Sequence, residues 1–138
     1  MENSKFIQLK NLEVYTLSRE LSKIAWEVYN ALSWQDKKTM GDQYLSSTDS
    51  MGANIAEGYF RYHFLDRIKF YYNARASLAE CSEHWMELLY ERDKVNENIY
   101  KKFKELAGKL SVKLNNFISS TYKAKEAQLI SKNINKSQ

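Results

Sequence analysis

The sequence contains no proline in 138 residues and only four glycines. Sandwiches and barrels of β-strands need a turn roughly every 8–12 residues, and proline and glycine are the residues that make most turns. A chain with so few of them favours a small number of long helices. No apolar run approaches the roughly 20 residues that cross a bilayer, and the N-terminal residues lack the apolar segment of a secretory signal. We therefore predict a cytoplasmic, all-α protein with no membrane contact.

Apolar residues recur every three or four positions along four stretches, which is the pattern of amphipathic helices. The stretches predict helices at about residues 12–32, 37–59, 65–91 and 98–122. Asp36 is placed to cap the second helix, and Gly58 to end it in a left-handed conformation. Long helices with short connections are typical of an antiparallel up-and-down four-helix bundle, which we predict for residues 1–123. Residues 124–138 lose the period and are expected to form a flexible basic tail.

The second predicted helix also carries a polar stripe. Its members recur at steps of three and four and so share one face: Gln43, Ser47, Ser50, Asn54, Glu57 and Arg61. On the third helix, Arg75 is in register with the residues expected inside, Ile68, Tyr71, Leu78 and Trp85. Because an unpaired buried charge costs several kcal/mol, we expect a structural ion pair between Arg75 and Glu57 or Glu80. A ligand or catalytic pocket at this place is the alternative; we prefer the structural role because Arg suits buried and interface pairs.

Two blocks on these helices carry a family resemblance. The blocks NIAEGY at 54–59 and ARASLAE at 74–80 resemble the signature of the four-helix bundle proteins related to the 23S ribosomal RNA intervening-sequence protein. The resemblance spans roughly residues 12–122. Many members carry arginines before the signature serine, where this chain has Leu45 and Ser46.

The resemblance implies a bundle that assembles as a ring-shaped homopentamer and has no established enzymatic activity. Relatives include the accessory protein of diversity-generating retroelements, a basic pentamer that binds nucleic acid and a reverse transcriptase. By association, this implies a scaffold that binds RNA or DNA and that has a nucleic-acid-processing protein as a further partner. Large aromatic residues off the main apolar stripes also predict a homo-oligomer, because monomers seldom expose so many: Trp26, Trp34, Phe60 and Phe64.

The positive charge is concentrated in the last third of the chain. Residues 96–138 hold nine Lys and Arg against three Asp and Glu, whereas residues 1–95 carry a net charge of −2. Such asymmetry points to nucleic acid, a membrane surface or an acidic partner. Lys102, Lys109 and Lys113 lie on the predicted solvent side of the fourth helix and would form a basic belt in a ring of subunits. We predict that they bind phosphates; a merely solvated face is the alternative.

Residues 59–64 alternate aromatic and basic side chains at the junction of the second and third helices. Single-stranded nucleic acid stacks on such rings at about 1–3 kcal/mol per base, and we assign Arg61 and Tyr62 to the nucleic-acid site. Aromatic packing at the bundle end or at a subunit interface is an equal alternative, because Arg and aromatic residues also dominate interface hot spots.

No catalytic, cofactor or metal motif is apparent. Neither His63 nor His84 follows a glutamate by three residues, as the ligands of di-iron bundles do. Cys81 is the single cysteine, which suits a reducing compartment, and no general base can be assigned to it. Phosphate-binding glycine loops and nucleophile elbows are missing from the sequence. We therefore predict a non-enzymatic protein with no catalytic residues, no cofactor and no metal.

Three hypotheses follow from these observations. The first is an oligomeric RNA- or DNA-binding scaffold with weak sequence preference. The second is a protein–protein assembly module whose lysines only keep it soluble. The third is an enzyme or metal-binding bundle with its site under Arg75, Glu57 and Glu80. The first is the function we predict, because the charge asymmetry and the resemblance both favour it.

Overall fold

Four long helices make up most of the chain in the computed structural model, which describes residues 7–137. They are α1 (Glu13–Ala31), α2 (Trp34–Asp36, Lys37–Gly41 and Asp42–Tyr59 in continuous succession), α3 (Phe64–Ala79, Glu80–Trp85 and Met86–Glu91, likewise continuous) and α4 (Glu97–Ser137). A single 3-10 turn, Leu9–Asn11, precedes α1. The described residues contain no strand. The predicted all-α class is therefore confirmed.

The helices form an antiparallel up-and-down bundle, as predicted. Each packs on two neighbours, α1 on α2, α2 on α3, α3 on α4 and α4 back on α1. The direction is visible between α1 and α2, where Ser22 donates to Asp49 and Tyr29 donates to Asp42, so that one helix advances as the other returns. The connections are short, which forces this topology.

The core runs along the bundle axis and consists of the four apolar stripes. Its largest fully buried side chains are Tyr44, Tyr71, Phe103, Leu21, Met40, Met51, Ile55, Met86, Leu89, Leu110 and Leu114. Aromatic rings meet across it, with centroids 5.5 Å apart for Tyr44 and Phe103 and 4.8 Å apart for Tyr71 and Phe117. Pairs at such distances add to the stabilisation from buried area. The core thus includes contributions from all four helices.

Glycine and capping residues mark the helix ends in ways that differ partly from the prediction. Ser33, not Asp36, caps α2, because the Ser33 hydroxyl accepts from the Asp36 backbone N–H at 3.1 Å. Gly58 lies next to the end of α2, but no described glycine has a positive φ. A Cβ at Gly58 would lie 2.8 Å from Tyr71, so glycine is needed there for the close approach of α2 and α3.

Two π-helical turns, Lys37–Gly41 in α2 and Glu80–Trp85 in α3, interrupt the regular helix. A π turn closes i→i+5 hydrogen bonds and so holds one more residue than an α turn. The apolar phase of α3 therefore shifts within the second of them. Met86 is fully buried and Trp85 only partly buried, whereas the sequence spacing places Trp85 on the inner stripe.

The fourth helix is longer than predicted. α4 continues to Ser137, and residues 124–137 are helical where the sequence predicts a tail. Beyond Thr121 the side chains of residues 122–136 are exposed, except for the half-buried Lys125. Apolar periodicity could not detect this segment because it packs little against the bundle. Among residues 7–137, no helix has both the length and the apolar content that crossing a membrane requires.

Candidate nucleic-acid interface

We divide α4 into a packed segment, residues 97–122, and a basic segment, residues 123–137. Carboxylates pair with most lysines of the packed segment. The Nζ–oxygen distance is 3.0 Å for Lys101–Glu97 and also for Lys113–Glu13. Lys104 has two such partners, Glu87 at 3.0 Å and Glu83 at 3.2 Å. Lys102 lies in a groove between α1 and α4 beside Glu20 and Glu27. Of the three lysines predicted to bind phosphate, only Lys109 neither forms a described ion pair nor lines this groove.

Lys104 connects α4 to the π-helical turn of α3 through a hydrogen bond and ion pairs. Its Nζ donates to the Ser82 backbone carbonyl at 2.8 Å in addition to its two ion pairs, and the side chain is largely covered. The Tyr100 hydroxyl donates to Glu87 at 2.6 Å. This hydrogen bond, with the contact from Lys104, holds the pKa of the Glu87 carboxyl below its usual value, and Glu87 in turn raises the pKa of Tyr100 to about 12. The cluster stabilises the fold. Because the Lys104 ammonium already has three acceptors, none of its N–H groups is left to bind a phosphate.

The basic segment has the opposite character. It carries four lysines and one carboxylate, Glu126, and none of these lysines forms an ion pair within the part of the chain that the structure describes: Lys123, Lys125, Lys132 and Lys136. The lysines of α4 that form no described ion pair therefore lie mainly in the basic segment.

The connection between α2 and α3 presents two aromatic rings to solvent. The side chains of Phe60 and Tyr62 are 65% and 85% exposed. Arg61, between them, has an ion pair with Glu57 at 2.8 Å, and its guanidinium lies 4.9 Å from the centre of the Phe70 ring. Both residues predicted for the nucleic-acid site in this connection, Arg61 and Tyr62, are thus at the surface, although Arg61 already has a carboxylate partner.

A groove of about 450 Å³ brings the start of α3 and the basic segment together. Its lining is His63, Phe64, Leu65 and Asp66 from α3 and its approach, and Lys125, Gln128, Leu129 and Lys132 from α4. We call it the α3–α4 groove. It places the exposed aromatic connection beside the unpaired lysines, a combination that the sequence does not predict because the lysines were assigned to a tail.

Arg75 does not occupy the predicted place. It is exposed, its Nη1 donates to the Asn115 side-chain oxygen at 3.1 Å, and its guanidinium lies 4.6 Å from the centre of the Tyr72 ring. The inward position on this turn belongs to Ala74, which is fully buried. The buried stripe of α3 passes from Tyr71 through Ala74 to Leu78 and leaves Arg75 outside it, so the prediction of a buried Arg75 is wrong.

The predicted partners of Arg75 bind other residues. Glu57 pairs with Arg61 on its own helix, and Glu80 accepts a hydrogen bond from the Trp85 indole N–H at 2.9 Å. The expected ion pair of Arg75 with Glu57 or Glu80 is therefore not formed. Each of these three side chains thus has a different partner within residues 7–137, and they do not form one site.

The polar stripe of α2 contributes to helix packing at its centre. Ser77 of α3 donates to the Ser50 hydroxyl at 3.0 Å, and Asn54 donates to the Ser50 carbonyl at 2.8 Å. Ser47 is buried and donates to the Tyr44 carbonyl at 3.1 Å. The Ser77–Ser50 bond fixes the register of α2 against α3, whereas the other two bonds lie within α2. The stripe thus bonds to its own bundle, which favours a structural role over a ligand pocket.

The remaining reactive side chains are two buried groups and two exposed histidines. Burial raises the pKa of the Cys81 thiol to about 12, so the thiolate is scarce at neutral pH. The Tyr44 hydroxyl is buried with no hydrogen-bond partner in the described structure, and burial raises its pKa as well. His63 and His84 are exposed. Within residues 7–137, no three His, Cys, Asp or Glu side chains group closely enough to hold a metal ion.

The comparison with protein families agrees with the resemblance in the two sequence blocks. The family model of the 23S rRNA-intervening sequence protein matches residues 10–116. The chain belongs to this family. No curated protein matches the chain significantly.

A solved relative shares the bundle of the 23S rRNA-intervening sequence protein family. It is a protein of unknown function from the S23 ribosomal protein family of Bacteroides thetaiotaomicron, 25% identical to this chain, with a TM-score of 0.70. The match covers 76% of this chain but 97% of the other, so this chain is the longer one. The family pattern ends at residue 116, within α4 and before the basic segment.

Sequence reasoning missed the basic segment as a helical surface of this family member. The available signal was composition, because residues 123–132 are rich in Ala, Lys, Glu, Gln and Leu and contain neither glycine nor proline. Such residues favour helix without an apolar face. Apolar residues recur every three or four positions only where one face of a helix is buried, so this pattern ends where α4 leaves the bundle.

Proposed function

We propose that this member of the 23S rRNA-intervening sequence protein family is a non-enzymatic, cytoplasmic, oligomeric scaffold that binds RNA or DNA with weak sequence preference. The observation that supports the proposal is the set of unpaired lysines on the basic segment of α4. Lysines bind phosphates as point charges, and the release of counterions drives such binding whatever the base sequence.

The three lysines of the packed segment have a smaller part in the proposal. Lys113 has to leave Glu13 before it can bind a phosphate, and Lys102 lies beside two carboxylates. Lys109 is exposed and extends the basic surface toward the bundle. We therefore assign the larger share of the affinity to the basic segment.

Fluorescence anisotropy with labelled single- and double-stranded RNA and DNA tests the proposal. With four phosphates neutralised, raising the salt from about 50 to 200 mM should weaken binding roughly 50- to 150-fold. Changing Lys123, Lys125, Lys132 and Lys136 together to Gln should abolish binding. The matched control changes Lys102, Lys109 and Lys113 to Gln and should retain most of it. No binding of any of the four nucleic acids at low salt, with the oligomer intact, would contradict the proposal.

We propose a homo-oligomeric assembly, and specifically the pentamer that the family resemblance implies. The support is the exposure of large aromatic side chains, 55% for Trp26 and 75% for Trp34. Exposed aromatic surface of this kind is typical of protein interfaces. Light scattering should give about five times the chain mass of 16.3 kDa. A mass of one chain at micromolar concentration would contradict the assembly.

The same tryptophans favour a second candidate function, a protein–protein assembly module whose partner is a nucleic-acid-processing protein. Trp26 and Trp34 lie on α1 and at the α1–α2 end, away from the basic segment. An intact oligomer that binds none of the four nucleic acids would leave this candidate. Changing both tryptophans to Ser should then remove the interaction with the protein partner.

A further inference from the structure

We infer that the α3–α4 groove takes single-stranded nucleic acid, with an unstacked base between Leu65 and Leu129 and neighbouring phosphates on Lys125 and Lys132. The inference rests on the proposed function and names the form of nucleic acid that the scaffold selects. It depends on four features of the groove, which are its apolar walls, its charge, its aromatic approach and its place in the chain.

The walls of the groove offer apolar surface that the fold does not use. Leu65 and Leu129 are 61% and 55% exposed, although they come from different helices and line the same groove. Phe64, which is partly buried, lies beside them. The groove volume of about 450 Å³ is within the range of about 300–1000 Å³ seen for small-molecule sites. The groove is therefore large enough for a nucleotide and apolar where a base would lie.

The charge of the groove suits the phosphates next to such a base. Lys125 and Lys132 both line it and are separated by two helical turns, about 10 Å along the axis. The lining contains one carboxylate, Asp66, against these two lysines. Lysines spaced along one side of a helix can hold successive phosphates while the base points between the walls.

The aromatic connection continues the same surface. Phe60 and Tyr62 are among the most exposed large side chains described, and His63, the next residue, already lines the groove. The Tyr62 and His63 rings lie edge to face with centroids 5.1 Å apart. Bases stack on aromatic rings largely irrespective of sequence. A strand that leaves the groove therefore meets a second place for its bases.

The bases of a duplex are paired and stacked, so they cannot enter between Leu65 and Leu129. A duplex reaches only the lysines, whereas a single strand reaches both the lysines and the apolar walls. The α4 wall of the groove lies beyond residue 116, where the match to the family model ends. The preference for single strands thus depends on the basic segment of α4.

Anisotropy titrations with labelled 12-nucleotide single-stranded RNA and with the matching 12-base-pair duplex test the inference at one low salt concentration. The unchanged protein should bind the single strand at least tenfold more tightly. Leu65→Ser and Leu129→Ser should each weaken single-strand binding roughly 4- to 12-fold, as expected when the exposed half of a leucine side chain is no longer covered by a base, and leave duplex binding unchanged. Ile130→Ser and Ile134→Ser are matched controls on the same exposed helix, outside the groove, and should change neither.

The outcomes separate the two proposals. Equal affinity for single strand and duplex, or groove variants no weaker than their controls, would overturn the inference and leave the proposed function standing. A protein that binds neither nucleic acid would overturn both. If an acidic peptide of equal charge binds as tightly as the single strand and loses affinity in the same two leucine variants, the groove is a protein-docking site and the inference is wrong. Circular dichroism of each variant checks that the helices are intact.

Discussion

The packed and basic segments of α4 belong to one helix but are held by different interactions. The packed segment buries Phe103, Leu110 and Leu114, and its lysines mostly have carboxylates from the same or a neighbouring helix. The basic segment buries none of its described side chains fully, and its lysines are exposed apart from the half-buried Lys125. The first is stabilised by burial, and the second by helix propensity and by growth from a helix already nucleated. A lysine of the packed segment is therefore less available to bind a phosphate than a lysine of the basic segment, because a carboxylate already pairs with it.

The largest difference between the segments should be in the free energy of unfolding. Phe103→Ala removes a fully buried ring and should lower it by about 3–5 kcal/mol. Ile130→Ala, in the basic segment, removes a 59% exposed side chain and should change it by about 0.5 kcal/mol or less. Urea denaturation followed by circular dichroism measures both. Equal losses would show that the basic segment packs as tightly as the bundle.

A smaller difference is expected between lysines of the two segments. Lys104→Ala removes a hydrogen bond to the Ser82 carbonyl and two ion pairs, and should cost about 1–2 kcal/mol, reduced from the full value of charged hydrogen bonds by partial exposure. Lys132→Ala should cost about 0.5 kcal/mol or less but should weaken nucleic-acid binding. The comparison fails if Lys104→Ala is as stable as the unchanged protein.

The smallest effect concerns how the free energy of unfolding decreases at acidic pH. The pKa of Glu87 is lowered in the folded protein, chiefly by the hydrogen bond from Tyr100 and then by Lys104. A lowered carboxyl pKa stabilises the fold above the ordinary value of 4.5, and this contribution is lost as the pH falls through the folded value. Glu87→Gln should flatten the decline in stability below that pH, and Tyr100→Phe should do so in part. Denaturation between pH 3 and 6 measures the effect; three identical pH profiles would refute it.

The fold could be predicted because it depends on burial, and burial leaves a period in the sequence. The four helices, their order and their apolar stripes follow from spacing, and two short blocks were enough to indicate the family. Trp85 was misplaced because a π turn shifts the phase of a helix. Arg75 was misplaced because Ala74 and Arg75 both fit the steps of three and four residues between Tyr71 and Leu78, and spacing alone does not choose between them.

The candidate site was predicted only in part. Arg61 and Tyr62 were recognised by their aromatic and basic neighbours and are at the surface. The positive charge of the basic segment was predicted, but its helical conformation was not, because an exposed helix has no apolar periodicity. Nothing in the sequence showed that residues 63–66 and 125–132 would face each other, because their approach is set by the length of α4 beyond the bundle.

The π-helical turn in α3 also makes this one place in the helix tolerant of a change in length. A π turn holds one residue more than an α turn, so deleting one residue of Glu80–Trp85 lets the turn close as regular α-helix while the segments on both sides keep their faces. Met86 would stay in the core, and Glu87 would stay beside Lys104. The same deletion within the regular part of α3 would instead rotate everything after it by about 100° about the helix axis. The turn is therefore where α3 can lose a residue and still keep its packing.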